Sequence, residues 1–94
     1  MESSDFSWTL VKSSQMVYQG ACELIAAHLA PSGDSTATVI YDGESASGKE
    51  IITLEAATRT LTPFVPPIPI YCAQGIYVTV GSNTEGVLIQ WRPA

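Results

Sequence analysis

Positive charge is scarce in this chain: four cations, Lys12, Lys49, Arg59 and Arg92, stand against nine acids, for a net charge of −5. The cations are scattered singly, with no basic stripe to displace counterions from a phosphate backbone. Nucleic-acid binding is not expected, and an anionic membrane is disfavoured for the same reason. Charge of either sign is thin, at 14% of residues against about 25% in ordinary globular domains. Two readings follow. Either the weakly charged surface buries area against another protein, or the abundant Ser and Thr keep it soluble. Subunit contact is the reading adopted here.

Histidine occurs once, at His28, inside an apolar run where a structural role suits it better than general-base work. Hydrolysis needs a base beside a nucleophile, or two placed carboxylates, and the sequence offers neither pattern. No enzyme activity and no cofactor are expected. Asp42 and Glu44 flank Gly43 in a turn, and Asp34 sits in the preceding loop. Oxygen ligands of this type bind Ca²⁺ when a loop spaces them correctly, but no such spacing is present, and acids in turns serve local hydrogen bonds. No metal is expected. The run GESASG (43–48) is not a phosphate loop, because Lys49 lacks the required spacing and no helix follows.

Cysteine is limited to Cys22 and Cys72, fifty positions apart (72 − 22), with no CxxC. Two cysteines do not make a disulfide scaffold. Buried free thiols are expected, with a disulfide permitted but not demanded. The first residues carry acids where a signal peptide needs Lys or Arg, and no apolar segment follows. The longest uncharged apolar run, Leu24 to Ala30, is too short to span a bilayer. A cytosol-like compartment and no membrane association are expected.

What the sequence has in quantity is strand signal. Thr36-Ala37-Thr38-Val39-Ile40-Tyr41-Asp42-Gly43 alternates small-polar with apolar residues and runs into an Asp-Gly turn, the pattern of a half-buried strand entering a reversal. Lys49 to Ala56 returns as a strand, with Ile52 and Leu54 facing the core and Lys49, Ile51, Thr53 and Glu55 facing out. Earlier, Trp8–Val11 and Gln15–Gln19 read as short strands, and residues 1–7 as a polar N-terminal arm anchored by Phe6 and Trp8. The stretch Ala21–Ala30 is ambiguous. Its Cys22, Ile25, Ala26 and Leu29 fit helical spacing, while its strand-type neighbours and a hairpin-like turn at 31–35 favour a strand.

Four prolines fall between Pro63 and Pro69. They remove ladder donors and hold the backbone extended, so residues 62–71 read as a crossover along a sheet edge. Phe64, Val65, Ile68 and Ile70 make this segment too apolar to remain in solvent. Ile76–Val80 is the cleanest strand, residues 81–86 read as a hairpin loop, and residues 86–92 as the closing strand. About six to eight short strands with polar turns predict a single all-β domain over 8–94, a small antiparallel β-sandwich or jelly-roll-like barrel.

The order Ala37-Thr38-Val39-Ile40-Tyr41-Asp42-Gly43, then Ser45-Ala46-Ser47-Gly48, then a Pro-containing segment, then Gly75-Ile76-Tyr77-Val78-Thr79-Val80 and Val87-Leu88-Ile89-Gln90-Trp91 resembles short structural proteins of tailed bacteriophages. The resemblance covers roughly residues 20 to 92 and rests on pattern. It implies a virion component that acts by binding: a capsid decoration or cement protein, trimeric, seated where major-capsid subunits meet. Tail, neck and fibre-base components share the pattern. The Pro-rich segment and the polar arm depart from it, and as extensions towards a neighbour they would make Trp8, Phe64, Val65, Ile68 and Ile70 the contact residues. A second class of function is a carbohydrate-binding attachment module, with Tyr41, Tyr77 and Trp91 forming an exposed row. A stand-alone bacterial subunit is a third.

Overall fold

The ten residues Cys22–Pro31 form one long strand, β3, and the reason they also fit helical spacing is visible in its geometry. β3 pairs with the C-terminal strand along its length, and the register slips between Leu24 and Ala26. Ile25 is the extra residue of this bulge. Because a bulge shifts the period-2 alternation by one, Leu24 and Ala27 both face the core, and the apolar spacing acquires a step of three. The strand reading of this segment holds.

The computed structural model describes residues 7–33, 36–56 and 61–93. These form nine strands: β1 (Ser7–Val11), β2 (Gln15–Gln19), β3, β4 (Thr36–Asp42), β5 (Lys49–Ala56), β6 (Thr62–Phe64), β7 (Ile70–Cys72), β8 (Gly75–Val80) and β9 (Thr84–Pro93). Residues 1–6 of the expected arm lie outside the described residues, and Ser7 already belongs to β1.

One sheet has the order β1-β9-β3, with β6 and β7 sharing the far edge of β3; the other has the order β2-β8-β4-β5. All pairings are antiparallel. The two sheets pack face to face as a β-sandwich and do not close into a barrel. The count of nine exceeds the six to eight expected because the Pro-rich segment contributes two three-residue edge strands, β6 opposite Ala27–Leu29 and β7 opposite Cys22–Leu24. Proline suits an edge, where one side of the strand has no ladder to donate to.

Leu24, Leu29, Val87, Ile89 and Val11 from the first sheet meet Ile40, Leu54, Ile76 and Val78 from the second. Each such side chain removed from water contributes about 1.5–3 kcal/mol, which makes this layer the main stabilising term. In β4 the inward set is Thr36, Thr38 and Ile40. The two buried threonines are satisfied: Thr36 Oγ1 donates to the Ser82 carbonyl at 2.9 Å, and Thr38 Oγ1 donates to the Thr79 carbonyl.

Two sequence expectations need correction. In β5, Leu54 is buried and Ile52 half-buried, as expected, but Ile51 also packs on the core. The register slips there, Ile40 facing Ile52 and Tyr41 facing Glu50, so Ile51 is a bulge residue outside the alternation. The turns at 31–35 and 81–86 are not hairpins either. They connect β3 to β4 and β8 to β9, and in each case the two strands belong to different sheets. The chain passes between sheets at most of its connections, and β4–β5 is a true hairpin. Asn83, with φ of 62°, takes the left-handed conformation that the tight passage into β9 requires.

Candidate functional site: the outer face of the five-stranded sheet

Alternation fixes which side chains this sheet turns away from the core. Trp8 pairs with Gln90, which pairs with Ala26; Leu10 pairs with Leu88, Leu88 with His28, and His28 with Pro63. Their in-register neighbours Val11, Ile89 and Leu29 are core residues, so these two rows form the outer face. Trp8 is 65% exposed and Leu10 46%. A third row, Arg92, Glu23 and Tyr71, bounds the apolar area at one end. There Arg92 Nε donates to Glu23 Oε1 at 2.6 Å, a half-exposed pair worth about 0–1 kcal/mol.

The large exposed apolar side chains of the described residues are Trp8, Leu10, Leu61, Val65, Ile68 and Tyr71. Trp8 and Leu10 sit on β1, at one edge of the five-stranded sheet. Leu61, Val65, Ile68 and Tyr71 sit in or beside β6 and β7, at the other edge. The four-stranded sheet contributes none of them. Its outer face carries Glu50, Thr53 and Glu55, with Thr53 Oγ1 donating to Glu50 Oε2 at 2.7 Å.

Of the five contact residues predicted from sequence, Trp8, Val65 and Ile68 are exposed, Ile68 at 76%. Phe64 and Ile70 are half-buried against the core. Phe64 lies opposite Ala27, and Ile70 opposite Leu24. Both partners face inward, so these side chains are held by the fold. Leu10, Leu61 and Leu88 were not singled out in the sequence, and Tyr71 stood out there only as an aromatic. For Leu10 a signal existed: it stands two residues after Trp8 in a strand and therefore shares its face.

The three aromatics of the glycan-binding reading do not form a row. Tyr41 and Tyr77 are cross-strand partners on the four-stranded sheet, with ring centroids 6.5 Å apart. Trp91 turns inward from the other sheet and lies against Tyr18, centroid to centroid 4.5 Å.

The acidic turn has a structural role. Asp42 accepts the Gln74 N–H at 2.9 Å and the Ala73 N–H at 3.1 Å, one on each carboxylate oxygen, and this clamps the β7–β8 turn to the end of β4. Gly75 continues the same clamp. Its φ is +141°, and a Cβ there would stand 2.3 Å from the Tyr18 carbonyl oxygen, a space only glycine fits. Glu44 accepts the Gln19 side-chain amide at 3.3 Å, and Ser45 and Ser47 bond one another at 2.7 Å. Asp34, the third acid, lies outside the described residues. No group of three or more His, Cys, Asp or Glu side chains placed to hold a metal ion occurs among the described residues. His28 stands half-buried in the outer row between Leu88 and Pro63.

No family model, curated protein or solved structure matches this chain.

Proposed function

We propose that this chain is a non-enzymatic structural subunit of a tailed-bacteriophage virion: a decoration or cement protein that binds the major-capsid lattice and self-associates as a trimer. The observation that carries the binding part is the one-sidedness of the surface. All six large exposed apolar side chains of the described residues belong to one sheet and its two edges. Scattered apolar residues on a surface are ordinary, whereas large exposed apolar side chains confined to the two edges of one sheet support an interaction surface on that side.

The virion part rests on the sequence pattern: the strand ending in Tyr41-Asp42, the Ser/Ala/Gly loop and the late Gly75-Ile76-Tyr77-Val78 strand. A particle lattice suits a small domain of this kind. A standard interface buries roughly 800 Å² on each partner, and a modest contact repeated over many copies gains avidity that a single contact lacks. Tail, neck and fibre-base positions are the alternatives within the same class.

The test is sedimentation of the purified chain with and without empty capsid shells, alongside its solution mass by light scattering. A trimer that co-sediments with shells and raises their melting temperature supports the reading. A monomer that ignores shells but is retarded in gels containing polysaccharide overturns it in favour of a glycan-binding module.

A further inference from the structure

Cys22 and Cys72 are cross-strand partners in the β3–β7 pair. Both are free and fully buried, both belong to the inner layer, and the Cys72 thiol donates to the Ile70 carbonyl at 3.6 Å. Residues directly opposite in an antiparallel pair have Cα atoms about 4.5–5.5 Å apart, inside the roughly 4.4–6.8 Å that a disulfide spans. We propose that Cys22 and Cys72 form a latent intramolecular disulfide site, closed by thiol–disulfide exchange with a low-molecular-weight disulfide such as oxidised glutathione.

The fold controls access to this site. Burial holds both thiols in the protonated, unreactive form, because desolvation opposes the thiolate that attacks. β3 is locked between neighbours, whereas β7 is a three-residue edge strand between the Pro-rich loop and the exposed Ala73-Gln74 turn. Asp42 holds the turn after β7 through the Ala73 and Gln74 amides, so Cys72 is exposed only when that clamp releases and β7 lifts from β3.

The steps balance. The Cys72 thiolate attacks one sulfur of oxidised glutathione, forming a mixed disulfide and releasing one glutathione thiolate. When β7 recloses, Cys22 loses its proton and displaces the second glutathione, forming the Cys22–Cys72 bond. Two cysteine S–H bonds are lost and one S–S bond is gained. The two protons go to the two glutathione thiolates, and oxidised glutathione is the species reduced.

The consequence is a staple. The bond ties the Pro-rich edge to the strand at the heart of the sheet and closes a loop of about fifty residues (72 − 22). Closing a loop of that length in the unfolded chain raises the melting midpoint by on the order of 10 °C or more. This inference does not depend on the virion reading.

The test incubates the full chain in glutathione buffers of graded redox ratio, followed by alkylation, intact mass and peptide mapping. The expected product is a monomer lighter by two hydrogens, with the Cys22 and Cys72 peptides linked, and with a melting midpoint raised above that of the reduced chain. Cys22→Ser and Cys72→Ser should show no such rise between reducing and oxidising buffer. Three outcomes overturn the proposal: thiols that stay free in strongly oxidising buffer, accumulation of glutathione adducts or intermolecular dimers instead of the internal bond, or an internal bond that lowers the midpoint. The wild-type mass and mapping decide the matter even if a serine variant fails to fold.

Discussion

Trp91 of one sheet lies against Tyr18 of the other, ring centroids 4.5 Å apart and planes tilted by 37°. This contact joins the two layers at the end where β2 and β9 come together, and it uses the tilted geometry that aromatic pairs prefer. It carries a polar defect, since the Trp91 indole N–H is buried without an acceptor among the described residues. Removing the ring and removing the N–H therefore have very different costs.

Trp91→Ala should lose about 3–5 kcal/mol of stability in urea titration, the usual cost of deleting a large aromatic from a packed layer. Trp91→Phe should lose about 1 kcal/mol or less. It keeps an aromatic against Tyr18 and relieves an unsatisfied donor whose burial costs about 1–3 kcal/mol. A loss of about 2 kcal/mol or more in Trp91→Phe would mean that the N–H is satisfied in solution.

Asp42 should matter for stability and not for metal binding. Asp42→Ala strips the acceptor from the Ala73 and Gln74 amides, with an expected loss of about 1–3 kcal/mol. Asp42→Asn keeps one carbonyl acceptor and should retain part of that. The check is a pair of urea curves, each recorded with and without Ca²⁺. Calcium-dependent stabilisation of wild type that vanishes in Asp42→Asn would overturn this assignment.

The thiols predict the alkaline limb of the stability curve. Burial pushes the Cys72 thiol from an ordinary value of 9.0 up to about 12, and the Cys22 thiol upward as well. Above pH 9 the unfolded chain releases these protons while the folded chain keeps them. Ionisation then favours the unfolded state, so stability falls between about pH 9 and 12 and is unaffected by these groups below 9. In reducing buffer, wild type should lose more stability over that window than Cys72→Ala, each relative to its own value at pH 8. Parallel curves would show that Cys72 does not carry the effect.

Much of the fold was legible because strand signal is local. Seven of the nine strands follow from alternation and turn residues, and the β4–β5 hairpin follows from Asp42-Gly43 and Gly48. The remainder depends on information that a single strand does not contain. Pro31–Gly33 and Gly81–Asn83 are residues of the turn-forming type, and the same residues serve whether the chain returns to its own sheet or crosses to the other. The bulges at Ile25 and Ile51 break the alternation from which facing is read. The prolines at 63–69 masked β6 and β7, since three-residue edge strands leave almost no period. The candidate surface was half legible: Trp8, Val65 and Ile68 stand out by size and apolarity, but only pairing with Ala27 and Leu24 reveals that Phe64 and Ile70 point inward.

Binding of shells through the outer face of the five-stranded sheet requires its exposed apolar side chains. The decisive experiment is shell co-sedimentation of Trp8→Ser/Leu10→Ser beside Met16→Ser/Val39→Ser, a control pair on the other sheet, with both proteins confirmed folded by circular dichroism. The first pair should lose shell binding by at least tenfold while the control binds as wild type does. Unchanged binding by the first pair, or an equal loss in both, would contradict it.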